Sequence, residues 1–247
     1  RQMCIRDRCG IVSSDKVYEH ILSNNPKNLG DIIEGQSFVI DGMKVTIISP
    51  DVDKLNQLRE KYSNHRPLCK SEIDKASVEA GSVMDDYFIP LQKFNLDYFQ
   101  EDTSVENASS IAAVFEYDDK RILWLSDSVP SVVMKSLFML GFSETNKMYC
   151  DAVLLSHHGS AANNSLALLR MIQADKYIIS ADGMNGHCLP NKETIARIVS
   201  ASSNLPVTLY FNYEDGRLIK MFKSDAQEDV KSRIDVHYLK DMEAIEF

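Results

Sequence analysis

Ala152-Val153-Leu154-Leu155-Ser156-His157-His158-Gly159-Ser160 runs from an apolar stretch straight into two histidines and a glycine. Ala152 to Ser156 reads as a short buried strand, since a continuous apolar run of this length suits a strand covered on both faces. Paired imidazoles at its end suit a site where one ring ligates a metal ion and its neighbour supports it or contacts substrate. The glycine lets the backbone turn sharply there. A solitary histidine is ordinarily a packed structural residue, so the pair carries more weight than either ring alone. Polar groups gathered where a buried strand ends point to a layered α/β domain, which places ligands at that edge.

Upstream, Arg121 to Leu125 forms an apolar run that ends in Ser126-Asp127-Ser128. Asp127 can project a carboxylate from the strand end and bridge two metal ions through its two oxygens. An aspartate in this position also suits a turn or a helix cap. Downstream, a strand over Tyr177 to Ser180 leads into Asp182-Gly183-Met184-Asn185-Gly186-His187, a loop holding a third candidate imidazole, His187. His20, His65 and His237 are isolated and read as structural or surface residues.

Strands and amphipathic helices alternate around these clusters. Ile111 to Tyr117 and Arg121 to Leu125 read as a hairpin turned by Asp118-Asp119, and Pro130 opens a helix to about Leu140. Ser165 to Ile172 predicts a helix, and Pro190 opens another to about Ser200. Val207 to Asn212 and Arg217 to Phe222 predict a last hairpin around Glu214-Asp215-Gly216. Nearer the N-terminus, a helix over Val17 to Leu22 and an Asn/Pro/Gly loop precede two β runs, Gln36 to Ile40 and Met43 to Ser49. Asp41-Gly42 between them is a tight-hairpin signal. Asp51 caps a helix to about Tyr62. Residues 63–104 are polar and weakly periodic, reading as an excursion in which Asp85-Asp86-Tyr87-Phe88 either covers a site or forms a solvated surface segment.

The composition bounds the alternatives. With 44% hydrophobic and 26% charged residues over 247 positions, the chain can bury a sizeable core. Twenty-seven Lys and Arg against 36 Asp and Glu give a formal charge of −9, which argues against non-specific gripping of nucleic acid and leaves room for a local basic groove. The five cysteines are scattered and form no C-x-x-C pair, so neither a disulfide framework nor a zinc knuckle is indicated. No apolar run approaches membrane-span length and no secretory layout opens the chain. These features predict a soluble, cytoplasmic protein. The opening Arg1 to Arg8, RQMCIRDR, resembles a translated sequencing-adapter read, which leaves a single domain over 9–247.

Asn107-Ala108-Ser109-Ser110-Ile111, Lys120-Arg121-Ile122-Leu123, Leu125-Ser126-Asp127, Leu155-Ser156-His157-His158-Gly159-Ser160 and Lys192-Glu193-Thr194 occur in this order. Together they resemble the metallo-β-lactamase-fold hydrolases related to the hydrolase domain of ComEC-type competence proteins, over about Gln36 to Asn212. The resemblance implies a partial αββα sandwich, the C-terminal two-thirds of the domain. It implies Asp127 as a metal-bridging carboxylate, His158 as a metal ligand and His157 as its catalytic neighbour, around two divalent ions, zinc or else manganese. Its implied substrates are phosphodiesters or nucleic-acid-like molecules.

The chain departs from the family pattern in three places. Ser126-Asp127 stands where the family has Gly-Asp. Leu189 stands at the late His-Pro step, leaving His187, two residues earlier, as the nearest catalytic substitute. The early His-x-His-x-Asp-His block is absent. Two visible ligands fall short of the three or more that a catalytic zinc requires. The expectation is therefore a hydrolase whose N-terminal part is missing, with this chain an inactive fragment. The rival expectation is a degenerate, non-catalytic binding or scaffold module, and a third is a hydrolase of small esters or thioesters.

Overall fold

The computed structural model describes residues 30–65, 85–181, 188–240 and 243–246. The expected helix over Val17 to Leu22 and the residue His187 lie outside them, as do 66–84. One mixed sheet of eight strands organises the rest, with the strands side by side in chain order. These are β1 (Ser37–Ile40), β2 (Met43–Ser49), β3 (Ala112–Tyr117), β4 (Lys120–Trp124), β5 (Met148–Leu154), β6 (Ile172–Ile179), β7 (Val207–Phe211) and β8 (Ile234–Tyr238). The first four pair antiparallel, and β4 to β8 are parallel.

Local chemistry explains the antiparallel half. Asp41 and Gly42 take positive φ, 49° and 85°, the mirror-image turn that matches strand twist, and so close β1 on β2. Asp118, at φ 45°, does the same between β3 and β4. Asp51 caps helix α1 (Val52–His65) by accepting from the Lys54 amide at 2.8 Å. Helix α2 (Val105–Ala108) is capped by Ser104, which accepts from Asn107 N.

The parallel half needs crossovers. Helices α3 (Pro130–Met139), α4 (Leu166–Arg170), α5 (Lys192–Ala201) and α6 (Gln227–Arg233) supply them. Val133 and Leu137 of α3, Leu168 and Leu169 of α4, and Ile195 and Ile198 of α5 join Leu123, Val153, Tyr177 and Leu209 in the main core. On the other face of the sheet, Val45, Ile47 and Ala113 form a smaller cluster with Phe38 and Phe115. Trp124 lies beside Phe115 on that face, its ring 6.2 Å away, and is 47% exposed.

Two sequence expectations are corrected. Arg217 to Phe222 is not the second arm of a hairpin. Leu218–Lys220 is a 3-10 turn, and Leu218 and Met221, three residues apart, are both fully buried. That spacing belongs to a helical turn, and Asp215 starts it by accepting from Arg217 N at 2.7 Å. The partner of β7 is instead β8, parallel to it and reached through α6. The Asp85-Asp86-Tyr87-Phe88 stretch is not simply a solvated excursion either. Tyr87 and Leu91 are buried in the main core, while Phe88 remains exposed. Tyr87 donates its hydroxyl to Pro190 O at 3.1 Å. Asp86 accepts from the Lys192 and Glu193 amides at 2.8 and 2.9 Å. It caps α5 from a distance, because Asn191, the residue at the cap, spends its side chain on the amide of Ala161.

Among the described residues no helix is long and apolar enough to cross a membrane. Cys150 and Cys188 are both buried.

Candidate functional site

Because β4, β5, β6 and β7 are parallel, their carboxyl ends share one edge. The amino end of β3 meets the same edge, since β3 runs antiparallel to β4 and pairs Ala113 with Trp124. The residues that follow each strand are therefore neighbours in space. Ser126 donates its hydroxyl to Ile111 O at 2.7 Å, tying the loop after β4 to the start of β3. His157 N donates to Ser126 O at 2.7 Å, and Ser156 Oγ to Ser128 O at 2.6 Å, tying the loops after β4 and β5.

This edge is built on strained backbone. Ser126, His157 and His158 have φ of 49°, 45° and 57°, in the left-handed region that side chains with a Cβ disfavour. Gly159 follows at φ 82°, and a Cβ there would lie 2.7 Å from Pro190 Cβ. The glycine after the histidine pair is thus required twice, for its conformation and for the approach of the loop before α5. Gly159 O accepts from Asn191 N at 3.1 Å and from Thr194 Oγ1 at 2.8 Å, which locks the turn. Asn164, fully buried, closes it from inside by bonding both Ser156 N and Ser160 O. Left-handed residues held by so many contacts mark a place where side-chain direction matters.

Each predicted site residue has a definite position, apart from His187, which is outside the described residues. Asp127 sits half-buried in the turn after β4. Its backbone carbonyl accepts from Asn163 Nδ2 at 3.3 Å, and no hydrogen bond or ion pair engages its carboxylate among the described residues. His158 is half-buried, with Nδ1 2.5 Å from Ser180 O at the end of β6. A carbonyl only accepts, so Nδ1 carries the proton and Nε2 keeps its lone pair for a metal or an acidic proton. The His157 ring lies 6.0 Å from that of His158, tilted by 57°. Its Nδ1 is 3.0 Å from Asn163 Oδ1, 3.4 Å from Asn107 Nδ2 and 3.6 Å from Asp102 Oδ2.

Asp102, Asn163 and Asn164 are additions to the residues singled out in the sequence, and Asn107 gains a contact there. Asp102 accepts from Asn107 Nδ2 at 2.6 Å, from Ser104 N at 2.8 Å and from Asn163 Nδ2 at 3.1 Å. Burial pushes its carboxyl up, but these donors and the nearby His157 outweigh that and hold it below the ordinary carboxylate value. Asn107 belongs to the Asn-x-Ser-Ser-Ile block. Isolated carboxylates and amides such as Asp102 and Asn163 look like surface residues in a sequence, and only the pair Asn163-Asn164 so soon after His-His-Gly-Ser hints otherwise.

Asp127 and His158 are suited to be part of a metal's donor set, with a free carboxylate and a free Nε2. They do not make a whole one. Among the described residues no group of three His, Cys, Asp or Glu side chains is placed to hold a metal ion.

No family model and no curated protein matches the chain. Among solved structures it is similar in part to a crystal structure of a new diphosphatase from the PhnP family. The identity is 17%, over 56% of this chain and 40% of that one, with a TM-score of 0.23. The chain thus spans less than half of that protein's length, and a likeness of this size says nothing about activity.

Proposed function

We propose that this strand-end edge is the later part of a metal-dependent hydrolase site of the metallo-β-lactamase kind, acting on phosphodiester or nucleic-acid-like substrates. The observation that supports it best is the placement of Asp127, His157 and His158 on one stitched edge, with the Asp127 carboxylate and the His158 Nε2 left uncommitted. In this reading Asp127 and His158 are ligands to one or two divalent ions, zinc or manganese, and His157 handles a proton beside them. His187, outside the described residues, would be a further catalytic group of the same site. In this reading the apolar face of β2 to β4, where Val45, Ile47 and Ala113 are buried and Trp124 is half-exposed, is the face on which a second sheet of an αββα sandwich packs. Two ligands are too few for a catalytic zinc, so this reading requires further donors beyond Asp127 and His158, since the described residues hold no three-ligand group.

Equilibrium dialysis against zinc or manganese tests the ligand assignment directly. Metal bound by the chain, and lost in both Asp127→Ala and His158→Ala with the fold intact, supports the reading and justifies a phosphodiester screen. Binding that survives both substitutions removes it. The second reading, a non-catalytic binding module on the same fold, is favoured by the lack of any three-ligand group among the described residues. It predicts no metal uptake at all.

A further inference from the structure

We propose that Asp102 is a positioning residue, which aims the side-chain amide of Asn163 so that His157 is held protonated at Nδ1 and presents its Nε2 as an acceptor at the strand ends. The proposal deepens the hydrolase reading and rests on it for the use made of Nε2, though not for the geometry. An ionised carboxylate can only accept hydrogen bonds. Asp102 Oδ2 receives Asn163 Nδ2 at 3.1 Å, and the same NH2 group reaches the carbonyls of Asp127 and Ser128 at 3.3 and 3.4 Å. Turning the amide over would set its oxygen against these acceptors. The orientation is therefore fixed, and it leaves Asn163 Oδ1 3.0 Å from His157 Nδ1. An amide oxygen facing a ring nitrogen places the proton on that nitrogen.

Asn107 is the one competing voice, since its Nδ2 lies 3.4 Å from the same ring nitrogen and would favour a lone pair there. It is the weaker contact. One hydrogen of that NH2 group goes to Asp102 Oδ2 at 2.6 Å, the other could reach Nδ1 only across the longer 3.4 Å, and the carboxylate itself lies 3.6 Å from Nδ1, adding negative potential that favours the proton. The donors that hold Asp102 below the ordinary carboxylate value also keep it ionised, an acceptor only. Asn163 is fully buried, so water does not substitute for either of its partners. The result opposes the intrinsic preference of neutral histidine, which in water favours the proton on Nε2. His157 and His158 then present their Nε2 lone pairs together, each through a different clamp on Nδ1.

The test is a long-range proton–nitrogen correlation spectrum of the chain carrying 15N-histidine, at mildly alkaline pH where imidazoles are neutral, with His157 assigned by its loss in His157→Gln. His157 is expected in the Nδ1-protonated tautomer. Asp102→Asn removes the shortest of the three acceptors that hold the Asn163 NH2 group and leaves the longer contacts to the Asp127 and Ser128 carbonyls, so a measurable part of the population should move to the Nε2-protonated form. Asn163→Asp placed on the Asp102→Asn background should restore the first tautomer, because a carboxylate at 163 accepts whichever way it faces. A purely structural role for Asp102 predicts no such rescue. If Asp102→Asn does not fold, Asn163→Leu removes the same acceptor and should give the same shift. An Nε2-protonated His157 in the unaltered protein, or a tautomer that neither substitution moves, overturns the proposal. None of these readouts needs metal or substrate. A missing phosphodiesterase activity with the Nδ1 tautomer intact counts against the hydrolase reading alone, and a wrong tautomer in an active protein counts against the role of Asp102 alone.

Discussion

The two halves of the sheet solve the problem of getting from one strand to the next in different ways. Between β1 and β2, and between β3 and β4, the chain turns back within two residues, and the left-handed positions fall to Asp41, Gly42 and Asp118. Aspartate and glycine tolerate that conformation, and the turn uses up its own backbone groups. From β4 to β8 the chain must cross over, so each carboxyl end opens into a longer loop. There Gly141 and Gly159 take left-handed positions too, but so do Ser126, His157, His158 and Cys188, which tolerate them poorly. The antiparallel half closes on itself and leaves nothing to aim. The parallel half holds unfavourable backbone with side-chain amides, hydroxyls and a remote helix cap, and in doing so aims side chains outward from one edge.

Two ion pairs, one from each half, give the largest expected effect. Lys192 is fully buried against Asp225, itself 6% exposed, and also donates to Ser224 Oγ at 2.7 Å. Lys192→Met strands a carboxylate in the core and should cost about 3–5 kcal/mol of stability in a denaturant titration. Adding Asp225→Asn, which keeps an acceptor for the Leu91 amide, should recover much of that. Lys44 in the hairpin half pairs with Glu116 at 3.0 Å with 55% of its side chain exposed. Lys44→Met should cost less than about 1 kcal/mol. Equal losses at Lys192 and Lys44 would erase the contrast between the halves.

What the sequence disclosed follows the same division. Asp41-Gly42, Asp118-Asp119 and Pro130 are local signals, readable because the residues that force the structure lie next to it in the chain. The Asp127 and His157-His158 positions were legible as strand ends for the same reason. Asp102 was not, because its partners Asn107 and Asn163 come from α2 and from the loop before α4, and nothing short of the fold brings them together. The Arg217 to Phe222 segment misled because a six-residue apolar-rich run fits a strand or a helical turn equally well. The true last strand carried a clearer alternation in Ile234, Val236 and Tyr238, which line one face beside β7. Asp86 gave no sign of its capping role because the helix it caps lies 106 residues further along the chain.

Two glycines sharpen the comparison of turns. Gly42 and Gly159 have nearly the same φ, 85° and 82°. Alanine at either suffers the left-handed penalty of about 1–2 kcal/mol. At Gly42 the new methyl group meets only Tyr117 Cε2 at 3.6 Å, an ordinary contact, so Gly42→Ala should cost little more than that penalty. At Gly159 it would meet Pro190 Cβ at 2.7 Å, and overpacking adds roughly 1–3 kcal/mol. Chemical denaturation of the two variants should therefore differ by about that increment. The Gly159→Ala protein should also show shifted His157 and His158 resonances, whereas Gly42→Ala should leave them in place.

The smallest effect is expected from two carboxylates, Glu116 within the hairpin half and Asp102 at the edge it shares with the parallel half, that both sit below their ordinary pKa for different reasons. Glu116 is held down chiefly by hydrogen bonds from Arg121 and Lys44, which outweigh its burial. Asp102 is pushed up by burial and held down by neutral donors, Asn107, the Ser104 amide and Asn163, with His157 as a further influence. In each case the folded pKa is lower than the unfolded one. The stabilisation is therefore fully present above the ordinary carboxylate range and is lost as the pH falls through the lowered folded value. Glu116 is partly exposed beside full charges, so its contribution, about a few tenths of a kcal/mol, should fade as salt is added. Asp102 draws on neutral dipoles at short range, which salt screens little, so its acid-side loss should persist. Stability measured from neutral to acid pH at low and high salt, for Glu116→Gln and Asp102→Asn beside the unaltered protein, separates the two. If high salt removes the Asp102 contribution as readily as that of Glu116, then charge on His157 holds Asp102 down, and the amide clamp is not what distinguishes the parallel half.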